Sequence, residues 1–137
     1  METLKISDLS VGDWVEYEGL HYPITFVGYG DGGDGSLVNL IRPDLSCFTC
    51  KISDIHPIPI TPEMLEKNGF GPKTFKQDQL LRIVEPNGNR PFIGYRWDSQ
   101  WVIIERSNDY MLRVKSKYIH QLQHALRLAG VDKEINL

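Results

Sequence analysis

Short runs of alternating apolar and polar residues, separated by Gly, Asp and Pro, fill the first part of the chain. Such alternation buries every second side chain, which is typical of half-buried β-strands. Pro23 predicts a sheet edge for the second strand, because proline donates no hydrogen bond to a neighbouring strand. We therefore expect a small barrel or a strongly bent sheet. The predicted strands cover residues 14–17, 21–27, 36–41 and 47–52.

Residues 54–60 contain two prolines, which favours an extended edge segment or a linker over a central strand. A short helix is expected next. Thr61 can cap its N-terminus, Pro62 suits its first turn, and Asn68-Gly69 can end it with a positive φ at the glycine.

The second half of the chain predicts a β-meander followed by one amphipathic helix. Strands are expected over residues 79–84, 92–97, 101–105 and 110–115, and the helix over residues 117–129. Gly130 follows the helix and can stop it. The apolar residues that recur at helical spacing are Tyr118, Ile119, Leu122, Ala125, Leu126 and Ala129.

These elements predict an α+β fold. A β-rich N-terminal part is expected over residues 1–60, a linking helix over 61–70, and a meander with its packed helix over 71–137. The same elements are also compatible with one compact unit. A chain of 137 residues with 41% hydrophobic side chains can bury a core without metal or disulfides.

Composition limits where the protein is expected in the cell and which partners it is expected to bind. No apolar run approaches the roughly 20 residues of a membrane span, and residues 1–10 lack the apolar stretch of a secretory signal. With two cysteines in one strand, we expect a cytoplasmic protein. Residues 1–69 carry 4 Lys/Arg against 11 Asp/Glu, whereas residues 70–137 carry 11 against 7. The two halves therefore either complement each other or face different partners.

A metal site would need about four ligands. Cys47, Cys50, His120 and His124 have suitable side chains, but we do not expect them to form one site. The strand alternation places the two cysteines on opposite faces, and no helix follows them to lower a thiol pKa. We expect one thiol packed in the core, the other exposed, and the two histidines on a solvated helix face. No cofactor is expected.

The loop over residues 28–35 contains GxGxxG twice, but a strand follows where a dinucleotide site needs a helix. Asp31 and Asp34 would also repel a phosphate. Their carboxylates are possible calcium ligands, although a hairpin tip is the favoured interpretation. No GxSxG elbow or paired nucleophile and base occurs, so we expect no enzymatic activity.

Aromatic and basic residues interleave in the predicted meander. Bases stack on aromatic rings and phosphates pair with cations, which makes this a candidate surface for single-stranded nucleic acid. Equally, the tryptophans can pack across their hairpin as core. The candidate nucleic-acid-binding residues are Trp97, Trp101, Arg96 and Arg106.

Three stretches carry a resemblance: Leu-Ser-Val-Gly-Asp-Trp-Val at 9–15, Ile-Pro-Ile-Thr-Pro-Glu-Met-Leu-Glu-Lys-Asn-Gly-Phe at 58–70, and Lys-Tyr-Ile-His-Gln-Leu-Gln at 117–123. Together they resemble a group of small uncharacterised proteins of gut bacteria and their phages or mobile elements. That group implies no activity and no catalytic residue. The Gly-Asp-Trp-Val turn and strand also resembles the opening of small SH3-like barrels.

The leading functional hypothesis is a non-enzymatic interaction or assembly module that binds another protein or a second copy of itself. The alternative is nucleic-acid binding, and no membrane contact is expected. Polar side chains of the C-terminal helix are the candidate partner-binding residues, namely His120, Gln121, Gln123 and His124.

Overall fold

A computed structural model describes residues 4–28, 36–71, 80–83, 92–96, 100–106, 110–128, 130 and 134–137. The chain divides into two units, Met1–Ile58 and Pro59–Leu137. Each unit contains an antiparallel five-stranded sheet, and the predicted α+β class is confirmed. The division falls close to the predicted boundary at residue 60. The helix expected as a linker lies within the second unit.

The first unit is a meander whose last strand returns to its first. Its strand order is β4-β3-β2-β1-β5. A 3₁₀ turn over Ile6–Asp8 precedes the sheet, and a second over Ile52–Asp54 leads directly into the last strand. The strands are β1 Trp14–Tyr17, β2 Leu20–Val27, β3 Leu37–Ile41, β4 Cys47–Lys51 and β5 Ile55–His56.

Strand β2 has two partners along its length. Its first half, up to Pro23, pairs with β1, and its second half, from Ile24, pairs with β3. A register shift between Ile24 and Phe26 bends the strand where the partner changes. The expectation that Pro23 marks an edge strand is therefore wrong, because β2 is central in the order. Proline is tolerated there because the recorded pairing with β3 begins only at the next residue.

The turn before β1 explains the Gly-Asp pair of the opening sequence. Gly12 has a φ of 93°, a conformation that favours glycine. The fully buried Asp13 accepts a hydrogen bond from the Ser10 backbone N–H at 2.8 Å through its carboxylate. Its main-chain carbonyl also accepts the N–H of Ile24 at 2.8 Å. The turn thus fixes the start of β1 against the middle of β2, above a core of Leu4, Leu9, Val15, Ile24, Val38, Leu40, Cys50, Ile52 and Ile55.

The second unit begins with a short helix, followed by a five-stranded meander in the order β10-β9-β8-β7-β6 and a longer helix. Thr61 caps the first helix by accepting the Met64 N–H at 3.3 Å, and Gly69 has the expected positive φ. The elements are α1 Pro62–Lys67, β6 Phe70–Gly71, β7 Leu80–Ile83, β8 Phe92–Arg96, β9 Trp101–Arg106, β10 Tyr110–Lys115 and α2 Ile119–Leu128.

Two buried polar contacts fix the ends of this unit. The Tyr95 hydroxyl donates to the Ser116 carbonyl at 2.9 Å, and burial raises the pKa of this tyrosine to about 12. The Asn68 amide donates to the carbonyls of Met64 and Asn136, both at 2.8 Å, and its oxygen accepts the Asn136 N–H at 2.8 Å. A single buried side chain thus links the end of α1 to the C-terminal segment, where Ile135 is also buried.

Replacing Asn68 with Ala tests this link. Because three hydrogen bonds disappear and buried backbone groups lose their partner, we expect the free energy of unfolding to fall by about 2–3 kcal/mol. Asn136→Ala is the matched control, because only the backbone of the exposed Asn136 bonds to Asn68. The free energy of unfolding of this variant should stay within about 0.5 kcal/mol of the wild-type value. Urea unfolding measures both variants, and equal losses would contradict this role for Asn68.

Candidate interaction surfaces

The polar residues of α2 do not form the exposed face that the sequence predicts. His120 is 4% exposed and Gln123 is 7% exposed, so the expectation of a solvated face is wrong for both. Each follows a buried residue of the apolar stripe, and the buried arc of the helix extends past that stripe to include them. The His120 ring stacks on Tyr118 at 6.1 Å and meets the His124 ring edge-on at 5.8 Å.

Gln121 has a structural role at the start of α2. Its side-chain oxygen accepts the backbone N–H groups of Lys117 at 2.8 Å and Tyr118 at 3.1 Å. The first N–H groups of a helix have no partner within the helix, and a glutamine at its third position often reaches back to supply one. With Gln121 acting as a cap and His124 half-buried, the four residues do not form a shared exposed surface.

The outer face of the second sheet gathers cationic positions around one tryptophan. Trp101 lies directly opposite Arg96 on β8 and Lys115 on β10, and adjacent positions across a sheet share a face. Trp101 is half-buried, and the exposed Lys115 places its Nζ 5.4 Å from the centre of the indole ring. Arg113, opposite Ile103, adds a second exposed cation on this face.

Of the other two candidate residues for nucleic acid, Arg106 is the last residue of β9, at the opposite end of that strand from Trp101. Trp97 lies outside the described residues. We call Arg96, Trp101, Arg113 and Lys115 the basic face.

The cysteines occupy the two faces of β4, as the alternation predicts. Cys47 is exposed and Cys50 is buried. Burial raises the pKa of the Cys50 thiol to about 11, and the carboxylate of Asp54 adds to the effect. No cluster of three or more metal-ligating side chains occurs within the described ranges, and Asp31 and Asp34 fall outside them.

A surface that sequence analysis missed lies in the first unit. The rings of Tyr17, Tyr22 and Phe48, from three different strands, contact one another with centroid distances of 5.1–6.5 Å. They pack against the core but remain partly exposed. Arg42 stacks on the Phe48 ring, with its guanidinium carbon 4.2 Å from the ring centroid. The rings thus close one end of the core and still present area to solvent.

Two exposed leucines lie on or next to the strands that carry these rings. Leu20 is the strand partner of Tyr17 and is 61% exposed, and Leu45 lies in the β3–β4 turn and is 77% exposed. We call this set the aromatic surface; its members are Tyr17, Leu20, Tyr22, Arg42, Leu45 and Phe48.

The turn that carries Leu45 is held by a dense set of hydrogen bonds. The Asp44 carboxylate accepts the Ser46 N–H at 2.9 Å and the Ser46 hydroxyl at 2.6 Å, which holds the pKa of Asp44 below its usual range. The Arg42 N–H donates to the Ser46 carbonyl at 2.8 Å, and its guanidinium reaches the Ser46 hydroxyl at 3.3 Å. These bonds define the backbone conformation of the turn.

Within this turn, Leu45 has a φ of 71°. The geometry is a three-residue hairpin loop whose last residue adopts the left-handed conformation, a position that glycine ordinarily fills. Left-handed backbone costs a residue such as leucine roughly 1–2 kcal/mol. This feature could have been predicted from the sequence. Arg-Pro-Asp is typical of a turn, and an apolar residue follows it where glycine or asparagine is expected.

Comparison with protein-family models, with curated proteins and with solved structures gives no match. Among the described residues, no helix has the length and apolar character to cross a membrane.

The two thiols should differ in reactivity. At pH 8 the Cys50 thiol is protonated, since its thiolate accumulates only as the pH approaches about 11, and it is also buried. We expect a thiol reagent such as Ellman's to modify one cysteine per folded chain rapidly and the second only after denaturation. Cys47→Ser should remove the fast phase. Equal rates for both thiols would contradict this assignment.

Proposed function

We propose that the protein is a non-enzymatic interaction module that binds another protein through the aromatic surface. This surface combines three partly exposed rings with two exposed leucines, and aromatic residues with Arg are enriched where proteins bind each other. Most exposed apolar residues occur singly and need no explanation. Here Leu20 pairs with Tyr17, and Leu45 shares its turn with the Arg42 that stacks on Phe48, which favours a contact surface.

The observation that carries the proposal is the conformation of Leu45. An apolar side chain that is 77% exposed adds almost nothing to folding, and its left-handed backbone lowers stability. Strained residues held rigidly by their surroundings concentrate at sites of function. A pre-ordered leucine also loses little conformational freedom on binding, so it suits an anchor that inserts into an apolar cavity of a partner.

We further propose that the first unit has an SH3-like arrangement of strands, in a bent sheet that does not close into a barrel among the described residues. Its meander order, the bent β2 and the 3₁₀ turn directly before β5 support this assignment. Taken with the resemblance to small proteins of gut bacteria and their phages or mobile elements, the proposal extends to an assembly role within such an element.

Single-stranded nucleic acid is the second candidate partner, and the basic face is the observation that favours it. Arg113 and Lys115 are exposed on the face of the half-buried Trp101, and the second unit carries 12 Lys/Arg against 9 Asp/Glu. A base stacking on Trp101 and phosphates pairing with Arg113 and Lys115 would suit this arrangement.

Leu45→Asn tests the leading proposal. Asparagine tolerates the left-handed conformation, so we expect the free energy of unfolding to rise by about 1 kcal/mol. The same change should lower recovery of a cross-linked, nuclease-resistant protein partner from the native cells at least about 10-fold, as is typical for loss of an interface anchor. Binding would then be lost from a more stable protein, which excludes misfolding as the cause.

Leu128→Asn is the matched control, because Leu128 is also an exposed leucine, at 58%, but belongs to the second unit. Its partner recovery should equal that of the wild type. Unchanged recovery with Leu45→Asn would overturn the role of the aromatic surface.

The second candidate predicts its own outcome. Labelled single-stranded oligonucleotide, titrated with the full chain and followed by anisotropy, should bind more weakly as salt rises. Arg113→Glu and Lys115→Glu together should weaken binding roughly 10-fold or more, since each removes one phosphate contact and adds a repulsive charge. Lys67→Glu, an exposed cation on α1, is the control. Salt-independent binding, or equal effects of both changes, would contradict this role for the basic face.

A further inference from the structure

We infer that the aromatic surface binds a positively charged protein segment, with an Arg or Lys of that segment on the Tyr17 ring beside Glu18 and Asp54 and its apolar neighbours on Tyr22 and Leu45. The inference rests on the proposed function and names the chemistry of the partner.

Charge complementarity is the first argument. The first unit carries 3 Lys/Arg against 9 Asp/Glu, a net charge of −6. Such a surface attracts cationic segments and repels nucleic acid and acidic peptides. One of the three cations, Arg42, already occupies the Phe48 ring.

The local environment of Tyr17 is the second argument. The Glu18 carboxylate is the main cause that raises the pKa of Tyr17, followed by burial, and Asp54 contributes further. The negative potential that disfavours a phenolate would favour a cation at the same place. A cation over the face of a tyrosine ring is itself attracted by the ring.

Strand pairing places the two acidic residues beside Tyr17. Tyr17 precedes the Glu18-Gly19 turn and lies opposite Ile55 of β5, the residue that follows Asp54. The Phe48 ring already carries the guanidinium of Arg42. The cation of the partner therefore belongs on Tyr17, and its apolar residues belong on the neighbouring Tyr22 ring and on Leu45.

The turn that carries Glu18 has a defined backbone geometry. Glu18 and Gly19 both have positive φ, at 50° and 78°, which is the geometry of a two-residue hairpin turn of type I′. A side chain on such a short turn starts from a defined backbone, so Glu18→Gln changes its charge and leaves the shape of the side chain almost intact.

Three labelled peptides and the full-length chain test the inference. The first peptide alternates Arg and Leu with Ser spacers, the second replaces each Arg with Glu, and the third replaces each Leu with Ser. We expect only the first peptide to show saturable binding, as measured by fluorescence anisotropy. Raised salt should weaken that binding severalfold, because rim charges are screened.

Variants then locate the contact. Combining Glu18→Gln with Asp54→Asn should weaken binding of the Arg-Leu peptide roughly 5- to 20-fold, since each exposed charge contributes a factor of about 2 to 5 to the affinity. Glu63→Gln with Glu66→Gln removes two exposed carboxylates from the second unit and should leave the affinity unchanged. Equal losses in both double variants would overturn the inference, as would equal binding of the Arg-Leu and Glu-Leu peptides.

The outcomes separate this inference from the proposed function. If no peptide binds but Leu45→Asn still abolishes recovery of the native partner, the surface stands and the cationic chemistry is wrong. If Leu45→Asn changes neither peptide binding nor partner recovery, the proposed function itself fails. Concentration-dependent dimerisation that Leu45→Asn removes, measured by light scattering, would identify a second copy as the occupant and overturn the cationic segment.

Discussion

The change of partner along β2 is the constraint on which the first unit depends. A strand that pairs with β1 through Pro23 and with β3 from Ile24 must bend, and the register shift before Phe26 provides the bend. Without it, β1 and β4 would lie far apart in one flat sheet. With it, the side chains of Tyr17 and Phe48 come within ring contact across the end of the core.

The aromatic surface follows from that bend. Rings from β1, β2 and β4 meet because the sheet curves over a small core, and they stay half-exposed because no further strand covers them among the described residues. The same curvature places the β1–β2 and β3–β4 turns beside the rings. One turn supplies a carboxylate and the other an exposed leucine, so apolar and acidic chemistry lie side by side on one unit.

The second unit uses its polar residues differently. Its polar side chains mostly bind backbone groups. Buried Asn68 pairs with the C-terminal segment, buried Tyr95 with Ser116 between β10 and α2, and half-buried Gln121 with the N–H groups just before α2. Buried polar groups without partners are costly, so each of these residues has a structural reason to be there. The polarity of the C-terminal helix is therefore weak evidence for binding.

Much of the fold could be predicted from the local pattern, and much less of the candidate site. Alternation and turn residues located the eight longer strands within a residue or two, whereas the two-residue β6 was not predicted. The Thr61-Pro62 start and the Gly69 end of α1 are confirmed. The alternation also placed Cys47 and Cys50 on opposite faces of β4, and one of them, Cys50, is buried. The prediction failed for His120 and Gln123, because the width of a buried helix arc depends on what packs against it rather than on the polarity of the helix itself.

By itself, the sequence determined the α+β class, the positions of most elements, the capping of α1 and the acidic character of the first unit, because these depend on neighbouring residues and on composition. Tertiary structure decided the rest. The meeting of Tyr17, Tyr22 and Phe48, the alignment of Arg96, Trp101 and Lys115, and the burial of His120 all join residues through strand register and packing. A local pattern does not encode those partners, since each position is set by elements that are distant in the chain.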